Sequence, residues 1–173
     1  MAIESPYLLP GRLADVIAAL QVMGAGLRPE NEIAGWAQEL SGSGDPAAIA
    51  RWTAVFADHQ EFFLTYFLPE GGEKKAALRL RYVNKFFDAR TNTEYTPEQK
   101  DALPPALRDS LTSKPLTGDA VAALMKTALD LKSRANEDLA ASRFWVPLAA
   151  ATPGFFGAII GAAIAVIWGV HRS

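Results

Sequence analysis

The chain of 173 residues contains no cysteine, which excludes disulfides, thiolate metal sites and a cysteine nucleophile. Histidine is scarce, with only His59 and His171, too far apart in sequence to suggest a metal site. Cationic surplus is missing as well: 17 Lys and Arg against 19 Asp and Glu leave a net charge of −2. A dedicated nucleic-acid binder needs that surplus to neutralise phosphates. The opening MAIESPYLLPGRLADV lacks a basic n-region and an unbroken apolar core, so it does not read as a secretory signal.

Catalytic groupings are absent too. Glu30 with Glu32, Asp45 with Asp58, and Glu137 with Asp138 have no histidine, cysteine or lysine spaced to form a nucleophile and base. The glycines of QVMGAGL follow no strand and precede no Lys-Ser/Thr pair, so no phosphate loop is built. No enzyme, metal or cofactor is therefore expected.

What is present begins with an apolar run. Residues 144 to 170 hold no charge over 27 positions. As a helix, residues 148 to 170 would extend roughly 35 Å at about 1.5 Å per residue, enough for a hydrocarbon core of about 30 Å. Pro153 and Gly154 predict a kink near Thr152. Phe144, Trp145 and Trp168 stand near the two ends, where aromatic rings favour the membrane interface. Gly157, Gly161, Ala165 and Gly169 recur every fourth residue, a stripe that lets another backbone approach closely. Lys132, Arg134 and Arg143 on one side against Arg172 on the other predict a single-pass, tail-anchored protein with its N-terminus cytoplasmic and a short outer tail, 171–173.

Upstream, Leu13, Val16, Ile17, Leu20 and Met23 have the spacing of a helix with one buried face, ended by Gly24 and Gly26. A second helix is predicted from Pro29 to Leu40, and a third after an Asp45 cap with Pro46 at its first position. EFFLTYFL, PEGGEKK and LRLRY then predict a hairpin, with Leu78, Leu80 and Tyr82 facing the helices and Arg79 and Arg81 facing solvent. Charge segregates here: residues 1 to 70 carry three basic and nine acidic groups, whereas residues 71 to 90 carry six basic and two acidic. Lys74, Lys75, Arg79, Arg81, Lys85 and Arg90 form a candidate face for an anionic partner, or a solvated edge that blocks strand pairing.

Three helices followed by a hairpin resemble a winged-helix domain, with RWTAVFADHQEFFLTYF similar to the third helix running into the first wing strand. The resemblance spans roughly residues 10 to 88 and implies a fold without an activity. With the C-terminal anchor, the order also resembles single-span bacterial-type membrane proteins. The third helix departs from DNA-reading relatives: it offers Ala47, Ala48, Ala50 and Ala54, and Arg51 alone to reach base edges.

After the hairpin, Thr96 with Gln99 has capping-box spacing, and PPALRDSL predicts another short helix. Thr117 or Asp119 caps a long helix whose Val121, Leu124, Ala128, Leu131 and Ala135 step as a coiled-coil seam or close the domain core. The expected organisation is mainly α with a small β-hairpin: a winged-helix-like head (1–90), a Pro-rich connector (91–118), a stalk helix (119–143) and a transmembrane helix (144–170). The expected function is a non-enzymatic protein-interaction module at the cytoplasmic membrane face. An accessory subunit of a larger membrane complex, or a membrane-tethered DNA-binding regulator, are the alternatives. The partners are the bilayer and protein, either this chain or a membrane complex, with the charge balance against nucleic acid.

Overall fold

A computed structural model describes residues 5–67, 72–82 and 86–141. It is mainly helical with two small antiparallel sheets. After a 3-10 turn (Pro6–Leu8), helix α1 (Arg12–Ala25) leads to strand β1 (Glu30–Glu32), α2 (Ile33–Ser41) and α3 (Pro46–Asp58). Strands β2 (Phe63–Phe67) and β3 (Lys74–Leu78) follow, then the single turn α4 (Arg79–Tyr82). A second hairpin, β4 (Phe87–Asp88) with β5 (Thr93–Glu94), precedes α5 (Pro97–Asp101) and α6 (Pro105–Arg108), and residues 118–141 form a last helix, α7.

The expected two-stranded hairpin is in fact a three-stranded sheet in the order β1-β3-β2. β3 is its centre, pairing Glu30 with Ala77 on one side and Leu64 with Ala77 on the other. Residues 30–32, predicted as the start of the second helix, are drawn out as β1. Asn31 and Glu32 have weak strand preference, so the ladder to β3, a tertiary contact, decides their conformation. The helix starts at Ile33, four residues later than the expected Pro29, with Glu32 at its cap.

The core lies between the three helices and one sheet face. Val16, Leu20 and Met23 of α1, Trp36 of α2, Trp52, Val55 and Phe56 of α3, and Phe63 and Leu78 of the sheet are all buried. Trp36 Nε1 donates to the Ala76 carbonyl at 2.9 Å, so the indole that fills the core also satisfies the central strand. Asp45 caps α3 as expected, its Oδ1 accepting from Ala48 N at 2.8 Å. Gly42 closes α2 in the left-handed conformation, φ +71°, where a side chain would be strained. Gly24, expected to end α1, is instead inside it.

The connector packs on the head. Phe87 and Thr112 exchange backbone hydrogen bonds at 2.9 and 2.8 Å, and both halves of the Thr96–Gln99 capping box form. Thr117 caps α7, accepting from Ala120 N at 3.3 Å. Val121 and Ala128 of α7 are buried, and Lys132 Nζ donates to the Tyr7 carbonyl at 2.6 Å. The chain divides into two units: everything described up to Lys132 belongs to the first, and residues 133–141 to the second. The early part of α7 thus closes the core. Among the described residues no helix is long and apolar enough to cross a membrane. The expected span, with Phe144, Trp145, Gly157, Gly161, Ala165, Trp168 and Gly169, lies outside the described residues.

Candidate functional site

The six cationic residues expected to share one face are dispersed. Lys74 and Lys75 sit at the start of β3, Lys74 standing 5.9 Å from the Phe67 ring centroid and Lys75 paired across strands with Glu32 and Tyr66. The other end of β3 is roughly 13 Å away at about 3.3 Å per residue. There Arg79 Nε donates to the Gln60 carbonyl at 3.0 Å. Arg90 belongs to the second hairpin, where its guanidinium reaches Asp88 at 3.5 Å and Ser110 Oγ at 3.2 Å. Lys85 lies outside the described residues.

Arg81 corrects the expected alternation. The strand ends at Leu78 and a helical turn follows, so side chains step by about 100° instead of 180°. Leu80 is turned outward and Arg81 inward, at 1 % exposure. Its guanidinium donates to the Met23 and Gly26 carbonyls at 2.6 and 2.7 Å and to the Ser113 carbonyl at 2.9 Å. Met23 and Gly26 mark the C-terminal end of α1, whose last turn has no basic residue of its own. A cation there meets the negative end of the helix dipole. Arg81 therefore staples α1 to the segment before α7 and is not part of a surface patch.

Helix α3 has little with which to read DNA. Ala47, Ala50 and Arg51 are exposed along it. Arg51, the one candidate for base contact, is tied by Nε and Nη2 to the two carboxylate oxygens of Asp15 on α1. That hydrogen bond holds the Arg51 guanidinium above its ordinary range, against a smaller opposing effect of burial. The sequence pattern held no sign of this lock, because the two residues are 36 apart.

Beside this helix a groove of about 330 Å³ runs between the first turn of α2, the body of α3 and the start of β3. Ile33, Ala34, Ile49 and Thr53 form its floor, and Glu73 and Lys74 its rim. Ile49 is only half-buried, and with Thr53, one helical turn on, it shares the face of α3 that walls the groove. Of the predicted cationic residues that are described, Lys74 is the one that lines this groove.

In the titratable cluster around His59 the imidazole itself is closed off from solvent. His59 is fully buried, its Nδ1 3.0 Å from Glu61 Oε1, and the Tyr7 hydroxyl donates to the same oxygen at 2.6 Å. Burial first, and the Glu61 contact second, raise the Tyr7 phenol. Such a group rests beneath the ring of Tyr7, 4.4 Å between centroids, and serves the fold. Among the described residues no group of three His, Asp or Glu could hold a metal ion. No protein-family model matches the chain, and neither a curated protein nor a solved structure matches it.

Proposed function

We propose that the chain is a non-enzymatic protein-interaction module tethered to a membrane, its head binding a partner polypeptide in the groove between α2, α3 and β3. The observation that carries this reading is the chemistry of α3: alanines on its exposed side, Arg51 held by Asp15, and an apolar groove alongside. Base edges are read by hydrogen-bond donors and acceptors, whereas a polypeptide is captured by an apolar floor with a polar rim.

The order α1-β1-α2-α3-β2-β3, with β3 central, supports a winged-helix reading of the head. In DNA-binding members of that class the third helix enters the major groove. Here the same helix is better suited to protein. The uncharged run 144–170 supports the tether, and Lys132, Arg134 and Arg143 favour a cytoplasmic head.

The test is site-specific photocrosslinking of the full chain in its native membrane. A benzoylphenylalanine at Thr53, on the groove, should trap one discrete polypeptide, and the same group at Lys126 on α7 should not. An alkaline wash should leave the full chain in the membrane pellet and release a chain lacking 144–170. Retention of duplex DNA by the detergent-solubilised protein, with affinity falling steeply as salt rises, would overturn the reading.

A further inference from the structure

Strand β2 is an edge of the three-stranded sheet, paired with β3 on one side only. Its backbone can be assigned residue by residue. Arg79 N donates to the Phe62 carbonyl at 2.8 Å, and bonded and non-bonded pairs alternate along an antiparallel ladder. Leu64 and Tyr66 therefore turn their backbone groups toward β3, and Phe63, Thr65 and Phe67 turn theirs outward. Phe63 N agrees with this phase, since it donates away from β3, to the His59 carbonyl at 3.0 Å. Among the described residues, the N–H and C=O of Thr65 and Phe67 and the carbonyl of Phe63 have no backbone partner.

Edge strands are ordinarily blunted by charge, proline or a bulge. The opposite edge, β1, carries Glu30 and Glu32. Strand β2, FLTYF, carries no charge and no proline, and Phe67 at its end is 67 % exposed. About Thr65 the strand is nearly its own mirror image, Phe63 answering Phe67 and Leu64 answering Tyr66. Set antiparallel on a second copy, with a two-fold axis at Thr65, its outward groups are matched. Thr65 N meets the Thr65 carbonyl and Phe67 N meets the Phe63 carbonyl, each in both directions. Phe63 N, already bonded to His59, is not needed. Phe67 then stands opposite Phe63, and Leu64 opposite Tyr66, apolar cross-strand pairs of the kind that stabilise sheets. The Tyr66 ring is already fixed, by its hydroxyl bond to Glu30 at 2.5 Å and by Tyr82 at 5.5 Å between centroids. The same operation on β1 would set Glu30 against Glu32, like charge against like.

We infer that β2 is a self-association edge, through which two copies of this chain join antiparallel about Thr65 into one continuous sheet. The contact is isologous and closes on itself. An unrelated strand could satisfy the outward backbone groups equally well, but the mirrored, uncharged side chains match a second copy. None of the residues that line the α2–α3 groove belongs to β2, so this edge does not depend on what the groove binds.

The test is disulfide trapping of the full chain in its native membrane, with no background to remove because the chain has no cysteine. Thr65→Cys sets two thiols opposite each other on the axis, with Cα atoms about 5.5 Å apart and within disulfide reach. Lys126→Cys, at an exposed position of α7, measures random collision in the same membrane. Under brief oxidation with copper-phenanthroline, Thr65→Cys should give a covalent dimer of this chain about tenfold faster than Lys126→Cys. Phe67→Glu, added to Thr65→Cys, changes an exposed ring and gains Lys74 as a cross-strand partner, so the fold is kept. It should slow trapping about tenfold, by setting a carboxylate against Phe63 of the second copy. Equal rates for the two cysteines, an adduct of Thr65→Cys with a different polypeptide in place of the dimer, or undiminished trapping with Phe67→Glu would overturn the assignment.

Discussion

A Cβ on Gly24 would lie 2.8 Å from Cγ2 of Val121, closer than real carbon atoms approach. The Val121 side chain of α7 therefore packs directly on the backbone of α1, at a point where Leu116 N also donates to the Gly24 carbonyl at 2.9 Å. Gly24→Ala gains about 1 kcal/mol of helix propensity. Against that stands an overpacking cost of about 1–3 kcal/mol, and Val121 is β-branched and stiff. The expected outcome in urea unfolding is net destabilisation of Gly24→Ala, with Val121→Ala relieving most of it in the double variant. Independent, additive effects of the two changes would show that the helices can part without cost.

The Arg51–Asp15 pair makes an unequal prediction for its two members. Asp15 is 11 % exposed and sits in the first turn of α1, whereas Arg51 is 56 % exposed. Arg51→Ala strands a nearly buried carboxylate, at an expected cost of about 1–2 kcal/mol. Asp15→Asn also gives up the favourable interaction of a carboxylate with the helix N-terminus, worth about 0.3–1 kcal/mol. A double-mutant cycle should return a coupling of about 1 kcal/mol that shrinks in high salt, as expected for a partly screened pair. Zero coupling would mean that α1 does not hold α3 through this pair.

Much of the head was legible because its signals are local. Asp45 and Pro46 define the start of α3, and Thr96 with Gln99 defines a capping box. What escaped were the features decided by partners distant in sequence. Glu30–Glu32 become a strand only because β3 arrives some 45 residues later, Lys75 opposite Glu32 and Ala77 opposite Glu30. LRLRY alternates as a strand does, yet the carbonyls of Met23 and Gly26 draw Arg81 inward through a helical turn. The groove was illegible for the same reason: Ile33, Ile49 and Lys74 meet through packing, and no period in the sequence joins them.

The Trp36 indole tests how far the core depends on a polar contact. Its Nε1 donates to Ala76 at the middle of β3, a strand paired on both sides. Trp36→Phe retains most of the ring and removes the donor, leaving a buried carbonyl. The expected loss is about 1–3 kcal/mol, combining an unsatisfied acceptor with a small cavity. Amide exchange should rise at the strands flanking Ala76. A loss of stability without faster exchange there would locate the cost in the cavity.

Glu61 gives the fold an acid-sensitive contribution. Burial pushes its carboxyl upward, but hydrogen bonds from Tyr7, its own backbone and His59 outweigh that and hold it below its ordinary value of 4.5. With the folded value depressed, this contribution is fully present above pH 4.5 and is lost as pH falls through the folded value. The side chain is 38 % exposed, so solvent screening keeps the effect modest. Tyr7→Phe removes one donor to Oε1, letting the carboxyl rise toward 4.5, and should cost about 1 kcal/mol at neutral pH. Urea midpoints of the native chain and of Tyr7→Phe should therefore converge as the solution is acidified below pH 4.5. Parallel curves across that range would mean that the Tyr7 bond is equally strong to the protonated carboxyl, and that the acid sensitivity of the fold arises at other carboxylates.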